Sequence, residues 1–271
     1  MAIKKRKSNP TQFGDIKSKI APVSELASEF SSLIYGRSGT GKTAVSSSWP
    51  KPMLLVDIRE KGTDTIAKVP GIDVISIEEW AEIEQVYWYL KSNESKYKTV
   101  SIDQISQMQD LAMAEIKGTG KEESDILSRR DWGQIAGLMK TWLYNYRDLT
   151  NSGIYVVFIA HERTNSADES VEDQIDPSIG ARLMPSLASA VNGAVSVIGN
   201  TFIREEYTGQ GKDKERAVKY CMRIGPHAYY TTKIRRPIDF VAPEFIVNPT
   251  FDKITKIIRG ERSEPKRKVH K

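Results

Sequence analysis

The chain has 271 residues, 39% hydrophobic and 28% charged, with a formal net charge of +5, which suits one large α/β domain or two small ones around a sizeable core. Its longest apolar run, IYVVFIA at 154–160, is too short to span a bilayer, so no membrane partner is expected. The single cysteine, Cys221, excludes an internal disulfide and a cysteine-based metal site.

In chain order, residues 1–27 read as a basic arm. They carry Lys4, Lys5, Arg6, Lys7, Lys17 and Lys19, with no apolar stretch that would make a secretory signal, so an intracellular location is expected. FSSLIY (30–35) reads as a buried strand feeding a glycine-rich turn, and Thr43–Ser48 as a short helix stopped by Pro50 and Pro52. PMLLVDI (52–58) is a second apolar strand. The spacing of Trp80, Ile83, Val86, Tyr87 and Leu90 predicts a helix over 78–91. YKTVSID (97–103) and GIYVVFIAH (153–161) are further strands, separated by helical patterns in QMQDLAMAEI and at 131–149. Doubly apolar strands alternating with amphipathic helices predict a mainly parallel central sheet flanked by helices. Past residue 195, AVSVIGNTFIREE, RAVKYCMRIG and HAYYTTKIR predict an antiparallel extension at the C-terminal side. The core is placed at 28–251, and 252–271 is expected to form a short helix and a basic tail. The segments 1–20 and 252–271 each carry +5, so the body between them is acidic, a pattern that suits arms seeking a polyanion or merely solubilising the chain.

Gly36-Arg37-Ser38-Gly39-Thr40-Gly41-Lys42-Thr43 matches G-x-x-x-x-G-K-[ST] between a strand and a helix, the context a phosphate-binding P-loop requires. Glycines let the backbone wrap closely, so that successive N–H groups and the helix N-terminus face a phosphate. Lys42 would supply charge to the β- and γ-phosphates, and Thr43 a hydroxyl to Mg²⁺. No N-K-x-D guanine-reading motif occurs, so ATP and Mg²⁺ are the expected cofactors.

Two strands end on an acid, at Asp57 and Asp103. The run TVSIDQIS makes Asp103 the better metal partner, with Gln104 directly behind it. Glu60, in VDIREKG, is the candidate base; its plainer reading is a solvated turn glutamate. His161 ends the fourth strand, where it would sense a γ-phosphate or simply pack. Lys233 and Arg235, in TTKIRRP, would either reach a neighbouring subunit's γ-phosphate or form a solvated basic strand end.

These stretches together resemble RecA-like P-loop ATPases, and more narrowly the phage-encoded nucleotide-binding proteins that include short RecA-like single-strand annealing recombinases. The likeness spans roughly residues 28–250 and rests on FSSLIYGRSGTGKT, LLVDIREKGTD, YKTVSIDQISQMQD, DWGQIAGLMKTW leading into VVFIAHER, and TTKIRRP. It implies a RecA-like core, with Glu60 as base, Asp103 on Mg²⁺, His161 on the γ-phosphate, and Lys233 and Arg235 as fingers acting in trans. It also implies a ring or filament of identical subunits on single-stranded DNA in the cytoplasm of an infected cell, with a single-strand DNA-binding protein as a further partner.

Two departures matter. The family's glutamate position, two past Asp57, is Arg59 here. The loop after the sensor strand holds Glu162, Asp168, Glu169, Glu172, Asp173 and Asp176, which would repel phosphates. Nucleic acid is therefore expected at the basic arms, at Arg182, or at Lys121, Arg129 and Arg130 beside Trp132. A DNA-dependent ATPase of recombination or replication is the leading expectation. The alternative is a nucleotide-dependent switch that binds ATP with little turnover and acts through protein partners.

Overall fold

The computed structural model describes residues 20, 22, 28–92, 94–118, 126–165, 178–208 and 215–261. The parallel part of the sheet is made of β1 (Ser31–Gly36), β2 (Met53–Ile58), β3 (Ile72–Ile77), β4 (Thr99–Asp103), β5 (Tyr155–Asn165) and β7 (Val197–Thr208), in the spatial order β3-β2-β4-β5-β1-β7. Beyond β7 the sheet turns antiparallel with β8 (Glu215–Arg223) and β10 (Phe245–Val247). Two short strands pair off this path: β6 (Ser178–Ala181) on β5 and β9 (Lys233–Ile234) on β7. The mainly parallel sheet and its antiparallel C-terminal extension are as expected.

Alternation along the strands assigns side chains to two cores. Leu33, Tyr35, Val156 and Phe158 face one layer of helices: α2 (Trp80–Lys91), α3 (Ile105–Lys117), α4 (Arg129–Arg147) and α5 (Pro185–Ala194). Ile34, Val157 and Ile159 face the other layer, where α1 (Lys42–Ser46) contributes Val45, Trp49 follows it, and α6 (Phe251–Ile258) contributes Ile254 and Ile257. Helix α2 buries the five residues whose spacing marks it in the sequence. Helix α4 begins at Ser128, whose hydroxyl accepts from Asp131 N at 3.2 Å while the Asp131 carboxylate accepts from Ser128 N at 2.9 Å, a reciprocal cap.

HAYYTTKIR forms much less strand than its composition suggests, only Lys233–Ile234. The His227 ring nitrogen Nδ1 accepts from Tyr229 N and Tyr230 N, and the Thr231 N–H donates to Ile179 O, so the donors a ladder would need are used locally or by a crossing segment. Strand β3, strand β10 and helix α5 have no counterpart in the sequence reading.

Register fixes where the functional residues emerge. Gly36 pairs with His161 and with Thr201, Asp57 with Asp103, and Asp103 with Ile159. The P-loop, both acids and His161 therefore leave the same carboxyl edge of the parallel strands, where open α/β sheets take their ligands.

Candidate active site

The phosphate loop is tightened by contacts that its glycines permit. A Cβ on Gly36 would lie 2.3 Å from Thr201 Oγ1 and 2.6 Å from Thr201 O, so the close approach of β7 demands glycine. Gly41 is left-handed, at φ 85°, and starts α1. The Thr40 hydroxyl donates to Arg37 O at 2.7 Å and sits 2.7 Å from the Thr201 hydroxyl. Lys42 is 8% exposed and donates to Gly36 O at 3.1 Å and Arg37 O at 3.0 Å. Burial lowers its pKa, and the nearby Asp103, Glu60 and Glu162 carboxylates oppose that drop. The loop thus presents an ammonium at the mouth of a pocket of about 570 Å³, lined by P-loop residues, Glu60, Gly62, Thr65, Asp103, Tyr220 and Asn248–Thr250.

Of the two strand-end acids, Asp103 faces this pocket: Thr43 Oγ1 donates to its Oδ2 at 2.7 Å. Burial, reinforced by Glu60 and Asp57, pushes the Asp103 carboxyl up to about 6, while the Thr43 hydrogen bond and Lys42 pull the other way. A buried acid so disfavoured as an anion is a place for a cation. Among the described residues no group of three or more His, Cys, Asp or Glu could hold a metal by itself. The Thr43–Asp103 pair therefore fits Mg²⁺ shared with phosphate oxygens, which is how that ion is commonly held beside nucleotides.

Asp57 does different work. Its carboxylate accepts from Glu60 N at 3.0 Å and from Lys61 N at 3.1 Å, shaping the turn after β2. Arg59 and Lys61 in that turn are both left-handed, at φ 58° and 52°, a conformation that costs side-chain-bearing residues energy. The result points neighbouring side chains apart. Arg59 turns out to Glu78, with Nη2 donating to its carbonyl at 3.0 Å, and Glu60 turns in to the pocket.

Inside, Glu60 Oε1 lies 3.8 Å from His161 Nε2, which is 2.7 Å from Gln104 Nε2. Burial first, and the charge of Lys42 second, depress the His161 pKa, so the imidazole is neutral at pH 7. Gln104 is fully buried and its Oε1 has no partner among the described residues. Such an orphan acceptor carries a desolvation cost, a feature concentrated at working sites.

His161 also lines a second cleft, of about 260 Å³, with Ser106, Asp110, Trp132, Arg163 and Arg182. Its backbone carbonyl accepts from Arg182 N at 2.7 Å. Arg129 and Arg130 are exposed in the first turn of α4. Lys121 and the acidic stretch from Asp168 to Asp176 lie outside the described residues. Glu162 belongs to β5, not to a loop. Its carboxylate meets Arg37 Nε at 3.3 Å and accepts from Asn200 Nδ2 at 2.9 Å. Asn200 Oδ1 accepts in turn from Arg223, whose guanidinium lies between the rings of Phe202 and Tyr230.

Lys233 and Arg235 are not at this edge in the same chain. Lys233 pairs with Ile198, and the Arg235 N–H donates to Ser196 O. That places the Arg235 backbone five residues below Thr201, about 16 Å down the strand. The Lys233 ammonium donates to Asn192 O and Gly193 O, capping α5. Tyr220 and Asn248–Thr250 escape sequence reading because no local pattern ties them to the P-loop; only the sheet order brings them to it.

No helix among the described residues is long and apolar enough to cross a membrane. A comparison with curated proteins gives no match. The family model described as "AAA domain" matches residues 28–236, well over half of the chain and every strand of the parallel sheet. With a P-loop cradle, a buried Lys42 and the Thr43–Asp103 pair at its centre, the chain belongs to the AAA domain family of nucleotide-binding P-loop ATPases.

Proposed function

We propose that this chain is a RecA-like ATPase of phage DNA recombination or replication, hydrolysing Mg²⁺–ATP as an oligomer on single-stranded DNA. The observation that carries the reading is His161, which lines the second cleft and lies 3.8 Å from Glu60, a residue of the P-loop pocket wall. Its Nε2 lies near Glu60 of the P-loop pocket and against Gln104, and the same residue lines the cleft that holds Arg163, Arg182 and Trp132. A γ-phosphate that pulled on Gln104 or His161 would move the wall of a cationic, aromatic-bearing cleft, a combination suited to phosphate and base contacts of a single strand. Glu60 would take the proton of the attacking water, and Asp103 with Thr43 would steady the ion.

The test is ATP turnover with and without single-stranded DNA at two salt concentrations. DNA should raise turnover, the effect should fade with salt, and Arg182→Ala should weaken the DNA response while leaving DNA-free turnover intact. ATP binding with turnover that ignores DNA would sink the DNA reading. It would favour the second one, a nucleotide-dependent switch acting through protein partners. One feature already leans that way: the residue behind Asp103 is Gln104, an amide that cannot accept a proton as a carboxylate does.

A further inference from the structure

Sheet order divides the P-loop pocket into two chemically different ends. Strand β4, with Asp103, and the turn after β2, with Glu60, lie on one side of β1; β8 and β10 lie on the other. The first end gathers acids around Lys42 and Thr43 and suits a metal and a terminal phosphate. The far end has no acid among its described lining residues. It is walled by Tyr220 on β8 and by Asn248, Pro249 and Thr250, which follow β10.

We infer that this far end is the base subsite: the purine ring of the bound nucleotide stacks on Tyr220, with its polar edge at the Asn248 amide. The inference rests on the nucleoside triphosphate reading of the P-loop. Tyr220 is 45% exposed, a large ring left open where a buried one would be unable to receive a ligand. It is also held in place at the loop, because its ring lies 3.3 Å from where a Cβ on Gly41 would sit. The adjoining wall is equally fixed. The Asn248 N–H donates to Tyr220 O at 2.7 Å, and the Lys253 ammonium donates to Val247 O and Asn248 O at 2.7 and 2.9 Å. Asn248 takes a left-handed backbone at φ 48°. Pro249 is buried beside it.

A planar ring with a rigid proline near it and a primary amide at the rim is a general device for a flat heterocycle. The amide supplies one acceptor and two donors, enough to meet the amine and ring nitrogen of adenine. A phosphate chain running from Lys42 over the start of α1 toward Ala44 and Val45 would deliver the base to this wall, because those residues line the same pocket.

The experiment compares binding of ATP with that of inorganic tripolyphosphate, by calorimetry, for the full chain and its variants. Tyr220→Ala should weaken ATP between about fivefold and a hundredfold, the range base–aromatic stacking supports, and leave tripolyphosphate unchanged. Tyr220→Phe should restore ATP affinity, which guards against a folding defect in the alanine variant. Asn248→Asp, which keeps acceptors and loses both donors, should shift the ATP-to-GTP affinity ratio toward GTP, whose edge offers N–H donors. Unchanged ATP affinity in Tyr220→Ala overturns the assignment. So does an equal loss for ATP and tripolyphosphate, since Tyr220 would then be acting on the loop alone. If the unaltered chain binds neither ligand, or Lys42→Ala binds ATP as well as it does, the nucleotide reading itself falls.

Discussion

Asp103 ties stability to pH in a direction opposite to that of most salt-bridged acids. Its folded pKa, about 6, stands above the ordinary value near 3.8. Below pH 4 both states hold the proton and no penalty exists. Between the two values the unfolded chain releases the proton first, and above about pH 6 the full penalty, roughly 2–3 kcal/mol, weighs against the ligand-free fold. Asp103→Asn should therefore melt higher than the unaltered chain at pH 7.5 and match it near pH 4, as followed by thermal denaturation without Mg²⁺. Equal melting temperatures at pH 7.5 would show that the acid is relieved by something other than a metal. Glu60→Gln keeps the shape of its side chain and loses the proton acceptor, so phosphate release should fall by about 10²–10⁴-fold with ATP affinity retained. Turnover within a factor of two of the unaltered chain would remove Glu60 as base. The P-loop residues and Asp103 were legible in the sequence because their chemistry lies within consecutive residues and a strand end. Glu60 was legible only as one of two options, since its direction depends on the left-handed backbone at Arg59 and Lys61.

At the scale of elements, the β1–β7 contact is the tightest constraint on the loop. Gly36→Ala puts a methyl group against both the hydroxyl and the carbonyl of Thr201. It should destabilise the chain by about 1–3 kcal/mol, and Thr201→Ala should fail to rescue it, because the carbonyl, 2.6 Å from the new Cβ, remains. Full rescue in denaturant melts of the double variant would mean that the hydroxyl alone sets the spacing. The elements that announced themselves are those buried on both faces: β1, β2 and β4 contain no exposed position, with MLLV and LIY as apolar runs in β2 and β1 and an acid closing the alternating TVSID of β4. Strand β3 did not, because as an edge strand with one neighbour it leaves Asp73, Val74, Ile75 and Ser76 exposed, and IDVISI carries no clear period. Helix α5, PSLASAVNGA, is built of small residues whose stripe is only Leu187 and Val191 deep. Both are settled by neighbours distant in sequence.

For the whole molecule, the two halves of the expected catalytic apparatus occupy opposite ends of the sheet. Lys42, Asp103, Glu60 and His161 leave its carboxyl edge, and Arg235 is exposed some 16 Å below it. If Arg235 serves a neighbour's site, chains carrying Lys42→Ala and chains carrying Arg235→Ala should each be slow alone. An equimolar mixture should then exceed the mean of the two, since some interfaces combine an intact P-loop with an intact arginine. A mixture that only averages its components would place the arginine outside catalysis.

The separation of these groups has a consequence for assembly. If Arg235 serves a neighbour's site, the pocket end of one copy meets the opposite end of another, which either a reciprocal two-fold pair or a head-to-tail row can supply. In the pair each copy gives one arginine and receives one, so every pocket is complete. In the row every copy points the same way, so an open row ends in a pocket at one terminus and a spare arginine at the other, and a directional polymer laid along it would inherit that direction.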